Sequence, residues 1–170
     1  MCIRDSLYHD GRYKEVVEQA ERLMARYPTS EYVVDALYNI GWSYFKMGDY
    51  QRSIQTFEEL VRRFPEDYRT DRALFQVGEC YYRQGKYDLA SEYYRRIVEK
   101  YRIEELTEQE IQRMEREKLA GLVDETALEL AGKAQLRVGD CYAQLGELRK
   151  AAEVYGKAAK VFGRYRWVVE

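Results

Sequence analysis

The sequence predicts an all-α fold, a solenoid of antiparallel helix hairpins, and three observations carry that expectation. A glycine turn recurs at a fixed interval: "GRY" at 11–13, "GDY" at 48–50 and "GKY" at 85–87 are spaced by 37 residues. A period of about 20–50 residues is the signature of stacked repeats. Between the turns, apolar residues fall at helical spacing, Leu37, Ile40, Tyr44 and Met47 in one segment and Ser53, Phe57, Leu60, Val61 and Phe64 in the next. Finally, proline occurs only twice, as helices require, because proline removes a backbone donor and clashes inside a helix.

Composition narrows the class further. A chain of 170 residues that is 46% hydrophobic and 34% charged can bury a core and is not a disordered tail. No apolar run approaches the roughly 20 residues that span a bilayer. The formal net charge of −2 gives no basic footprint, so nucleic acid is not an expected partner. The first six residues, "MCIRDS", resemble a translated sequencing-library adapter. Residues 1–6 are therefore set aside as an artefactual start, and Cys2 is not read as a lipid-anchored cysteine.

The elements follow in order. Residues 7–29 form a half unit, "LYHDGRYKEVVEQAERLMARYP", with a turn and a second helix but a first helix reduced to Leu7 and Tyr8. This predicts a chain cut within a repeat, with the face around Val16, Ala20 and Leu23 lacking its cover. Two full units follow, 30–66 and 67–102. In each, Gly48 or Gly85 ends the first helix, because glycine reaches the left-handed conformation without a Cβ clash. The aromatic beyond the turn (Tyr13, Tyr50, Tyr87) starts the second helix and should fold back onto the first, and Pro65 stops the second helix of its unit.

Glycine also stands within the first helices, at Gly41, Gly78 and Gly139, where it costs about 1 kcal/mol relative to alanine. Register sets these opposite the small residues Ser53, Ala90 and Ala151, which predicts a close helix crossing with Tyr44, Tyr81 and Tyr142 filling the groove beside it. Residues 103–125 interrupt the period. Thr107 and Glu110 have capping-box spacing, and Ile111, Met114, Leu119 and Leu122 share one face of an extra amphipathic helix that breaks near Gly121. Residues 126–163 are a last unit with a lengthened first helix, and 164–170 a tail or the start of a further helix. Cys80 and Cys141 occupy the same place in two units. Equivalent positions in stacked helices lie about 8–10 Å apart, beyond the roughly 7 Å Cα limit of a disulfide, so both are read as small packing residues.

These positions resemble the tetratricopeptide-repeat (TPR) family. Its pattern of L-G-x-x-Y, then A-x-x-x-F, then P is met by Leu37, Ile40, Gly41, Tyr44, Ser53, Phe57 and Pro65. It is met again by Leu74, Val77, Gly78, Tyr81, Ala90 and Tyr94, and in the last unit by Val138, Gly139, Tyr142, Ala151 and Tyr155, with Gln135 and Gly163 departing from it. The resemblance implies a right-handed α-α superhelix whose first helices line a concave surface. The spacer after the proline is longer than in the usual 34-residue unit. In this it is similar to TPR proteins of bacterial envelopes, the Tol-Pal-associated periplasmic protein and the outer-membrane β-barrel assembly lipoprotein. That likeness implies a periplasmic or envelope location in preference to the cytoplasm.

Material for chemistry is sparse. The one histidine, His9, sits in a turn, and a metal site needs converging ligands. No Ser-His-Asp or Cys-His arrangement and no glycine-rich phosphate loop is present, so neither an enzyme nor a bound cofactor or metal is expected. Binding is the better prospect. Helical spacing turns Tyr38, Trp42, Phe45 and Lys46 toward the concave side, then Arg72, Phe75, Glu79, Tyr82 and Arg83, then Lys133, Leu136, Asp140 and Gln144. TPR proteins that clamp a peptide carboxylate use Lys and Asn there. Tyr38 and Trp42 stand at the first such pair, so an apolar or helical partner segment suits this groove better. The expected function is a non-catalytic protein-interaction scaffold. Its alternative is a run of spacer repeats within a longer enzyme or assembly factor, the groove being filled by the inserted helix or by further repeats of the same chain.

Overall fold

Gly48 and Gly146 each stand where the chain reverses between two packed helices. Gly11, Gly48, Gly85 and Gly146 all have φ between 71° and 79°, the left-handed region that a Cβ disfavours. The computed structural model describes residues 11–102, 107–119 and 127–162. Over these the chain forms α1 (Tyr13–Arg26), α2 (Tyr32–Lys46), α3 (Tyr50–Arg63), α4 (Arg69–Arg83), α5 (Tyr87–Tyr101), α6 (Glu108–Leu119), α7 (Ala127–Gln144) and α8 (Leu148–Phe162). The start at 1–6, His9, Gly121, Leu122 and the tail at 164–170 lie outside the described residues, as do the side chains of Ile111, Met114 and Leu119. Among the described residues no helix is long and apolar enough to cross a membrane.

Contacts divide the chain into two compact units, Met1–Gln84 and Gly85–Glu170. In the first, α1 packs on α2, α2 on α3 and α3 on α4, while α2 also touches α4. Short turns make successive neighbours antiparallel. In the second unit α5 packs on α7 and α7 on α8, with α6 resting lightly on α7.

The loops that join hairpins in the first unit stop and restart helices by the same means. The residues before the prolines, Tyr27 and Phe64, leave helical geometry at φ −135° and −132°, as the proline ring demands of its predecessor. Arg69 then holds the next helix in place. Its guanidinium reaches Asp35 of α2 at 2.9 Å and Asp67 of the loop at 3.1 Å.

The expected meeting of Gly41 with Ser53 is present, and an aromatic ring is added to it. A Cβ built on Gly41 would lie 2.7 Å from the ring of Phe57, and one on Gly139 would lie 2.5 Å from the ring of Tyr155. The aromatic of the second helix therefore lies flat against the glycine. Ser53 adds a polar contact, its hydroxyl donating to the Gly41 carbonyl at 2.8 Å. Gly78 and Ala90, expected to cross, are both buried. Tyr44 does fill a groove, packing with Met24 and Met47 on Val17, Ala20, Ala36 and Ile40 of α1 and α2.

Other expectations shift. Val16 and Ala20 are buried, not laid bare, and on that face Leu23 alone is exposed. The capping box forms: Glu110 accepts from the Thr107 amide at 2.9 Å and its hydroxyl at 2.7 Å, and these bonds hold the Glu110 carboxyl below its usual range. Cys80 and Cys141 are buried and neither is in a disulfide.

Two glycines give opposite expectations. Gly41→Ala gains the helix propensity of alanine, about 1 kcal/mol, but drives a methyl into a fully buried ring, an overpacking worth about 1–3 kcal/mol. A net loss is expected, relieved when Phe57→Leu is added. Gly156 of α8 has open space around it, so Gly156→Ala should gain about 1 kcal/mol. Urea unfolding followed by circular dichroism measures all three. Equal effects at the two sites would mean that ring contact does not dictate Gly41.

Candidate functional site

Tyr38, Trp42 and Phe45 follow one another along α2, each half-buried. Their rings meet edge to face, Tyr38 to Trp42 at 6.4 Å between centroids and Trp42 to Phe45 at 5.6 Å. Both ends are tied into the hairpin: Tyr38 meets Phe57 at 6.0 Å and Phe45 meets Tyr50 at 5.6 Å. Ring quadrupoles favour this geometry, by about 0.5–1.5 kcal/mol per pair beyond area burial. The Lys46 ammonium lies 5.7 Å from the Trp42 ring centroid, a cation–π distance. The rings are thus held in place before any partner arrives, which lowers the ordering cost of binding.

On α4 the expected groove residues divide. Phe75 and Tyr82 are half-buried and Arg83 is exposed. Arg72 lies 6.0 Å from the ring of Tyr68, which Arg69 also covers at 4.5 Å. Glu79 is only 7% exposed, so its side chain is withdrawn from the surface on which it was expected.

In the second unit the acid at this repeat position is Asp140. There Asp140 accepts a 2.6 Å hydrogen bond from the Tyr155 hydroxyl and pairs with Arg137 at 3.2 Å. Asp140 thus has partners within its own hairpin. Lys133, Leu136 and Gln144, by contrast, are exposed. Glu79 and Tyr94 hold the same repeat positions in the sequence as Asp140 and Tyr155. Where the second helix offers Phe57, the residue after the glycine is Trp42; where it offers a tyrosine, that residue is an acid. The signal was present in the sequence as a paired change between two positions, and reading each helix alone missed it. Tyr50 folds back onto the first helix as expected, meeting Phe45, and so closes a ring series of which it was not expected to be part.

A second concavity of about 410 Å³ lies in the first unit among Lys14, Val17, Glu18, Tyr44, Met47, Asp49 and Arg52. Its rim charges cancel, Arg52 standing 3.6 Å from Asp49 and over the Tyr44 ring at 5.6 Å.

Models described as tetratricopeptide repeat match residues 38–102 and 132–162, the segments that carry the glycine–aromatic contacts. The chain belongs to the tetratricopeptide-repeat family. No curated protein matches its sequence. Among solved structures, MamA is similar to this TPR chain at a TM-score of 0.63 and 17% identity, over 99% of this chain and 79% of that one. Nearly identical TPR-like repeats from Podosopora anserina are similar at 0.68 and 14% identity, over 96% and 74%. BtubC (BKLC) from P. vanneervenii gives 0.53 and 17%, over 97% and 59%. At these identities the likeness is one of fold.

Reactive groups are few. Among the described residues no group of three or more His, Cys, Asp or Glu could hold a metal ion. Burial pushes the Cys80 thiol up to about 11, so it is protonated and inert near neutral pH. Its sulfur lies 3.4 Å from the Ser53 hydroxyl oxygen, which joins α4 to the Ser53–Gly41 contact of the α2–α3 hairpin.

The Cys80 shift has a sign that can be measured. A folded-state pKa raised from 9.0 to about 11 favours the protonated thiol in the fold. Its stabilisation is complete below pH 9.0 and is lost as pH rises toward 11. The stability difference between wild type and Cys80→Ala, from urea unfolding, should therefore shrink across that window by on the order of 2 kcal/mol. Taking the difference cancels the tyrosines that titrate in the same range. A constant difference would place the thiol in contact with water.

Proposed function

We propose that the chain is a non-catalytic TPR scaffold that holds a protein segment against the aromatic face of its first unit, in a bacterial cell envelope. The observation that carries the binding reading is the ring series Tyr38–Trp42–Phe45–Tyr50, half-open to solvent yet fixed by edge-to-face contacts. Interface anchors are typically rigid aromatics of this kind. Phe75, Tyr82 and Arg83 extend the face on α4, and Lys46 and Arg72 flank it. The long spacer after each proline, "YPTSEY" and "FPEDYR", supports the envelope location and, more finely, a role in outer-membrane assembly.

Trp42→Ala and Phe75→Ala separate this reading from spacer repeats. Truncating a binding anchor costs about 2 kcal/mol or more, roughly a thirtyfold loss of affinity, whereas removing a core aromatic costs about 3–5 kcal/mol of folding stability. Pull-downs from the source cells with wild type and both variants, beside their thermal melts, should show capture lost with melting nearly unchanged. Loss of the fold would make the rings core, and unchanged capture would favour the spacer. Cell fractionation tests the location, which recovery in the cytosol would overturn.

A further inference from the structure

The charges that α2 and α4 expose carry one step beyond the proposed scaffold, on which this inference rests. The two helices hold seven ionic side chains: Asp35, Lys46, Arg69, Asp71, Arg72, Glu79 and Arg83. Asp35 is neutralised by Arg69 at 2.9 Å. Asp71 and Glu79 are buried. The exposed charges of the two helices are both cationic. Lys46 and Arg83 are exposed, and Arg72 is half-buried beside Tyr68.

Lys46 and Arg83 hold the same repeat position, the last residue of their helices. A helix C-terminus carries roughly half a negative elementary charge, so each site keeps a net positive field after the helix is counted. Lys46 is spent on a ring and not on a carboxylate, since its ammonium faces Trp42. A partner carboxylate reaching this end of the face would meet two cations one repeat apart, next to the aromatic series.

From this we infer that the segment bound by the aromatic face is an acidic apolar peptide, with large hydrophobic side chains on Trp42 and Phe45 and Asp or Glu near Lys46 and Arg83. A basic segment of the same hydrophobicity would set its charges against these two and is disfavoured. The discrimination is moderate, because exposed ion pairs are screened; one such contact corresponds to roughly fivefold in affinity.

A random-peptide display library, panned on the full chain and counter-panned on Trp42→Ala, tests it. Peptides that require Trp42 should be enriched in apolar residues together with Asp and Glu, and should weaken as salt rises past the range where the Debye length is about 8 Å. Panning the Lys46→Glu, Arg83→Glu double variant should reverse the charge preference while keeping the apolar one. Trp42-dependent peptides that are neutral or basic would overturn the acidic assignment and leave the aromatic face standing as a binding site. A library yielding no Trp42-dependent peptide, from a Trp42→Ala protein that melts normally, would overturn both.

Discussion

The structure rests on a ring lying against a glycine. In the α2–α3 hairpin the Phe57 ring occupies the space a Gly41 side chain would need, and Ser53 caps the Gly41 carbonyl from the next turn of the same helix. Two helices can then approach closely with no buried polar group left open, since a mid-helix carbonyl gains a second donor. The α7–α8 hairpin repeats the contact with Gly139 and Tyr155. Everything else in each hairpin is arranged around it. The left-handed glycine turn sets which faces meet, and the proline loop sets where the next hairpin begins.

The aromatic face follows from the same contact. The Phe57 ring that lies against Gly41 also meets Tyr38 edge to face, so the surface series is continuous with the core. Such continuity makes the face rigid, and it also limits what the face can offer. Tyr38 and Phe45 cannot turn fully outward without breaking their contacts with Phe57 and Tyr50 of α3. A partner would be read by the exposed edges of the rings and by the charges beside them.

Most of the fold could be read from the sequence because each signal was local and repeated. Glycine turns, helix-starting aromatics and the Thr107–Glu110 capping box depend on residues a few positions apart, and they stand as expected. What escaped depended on pairs across helices. Glu79 and Asp140 were placed on the concave side by helical spacing, which fixes a direction but not whether a neighbouring side chain waits there. The Tyr155 hydroxyl captures Asp140, and no single-helix pattern contains that fact. Gly41 does meet Ser53 as its spacing predicts, but the ring of Phe57 against it was not foreseen, for a related reason. Small residues announce a close approach, but they do not tell which large one fills the remaining space.

In the second unit, α5 packs directly on α7 although residues 102–126 separate them in sequence. The matching connection between α3 and α4 is five residues, 64–68. Chain length alone weighs little here, since a fivefold longer connection costs only about 1.4 kcal/mol of closure entropy, little beside the apolar area that a helix pair buries. The junction after Tyr101 is therefore a permissive seam. A new module could be spliced there, by evolution or by an engineer, and the helices on either side would still find each other.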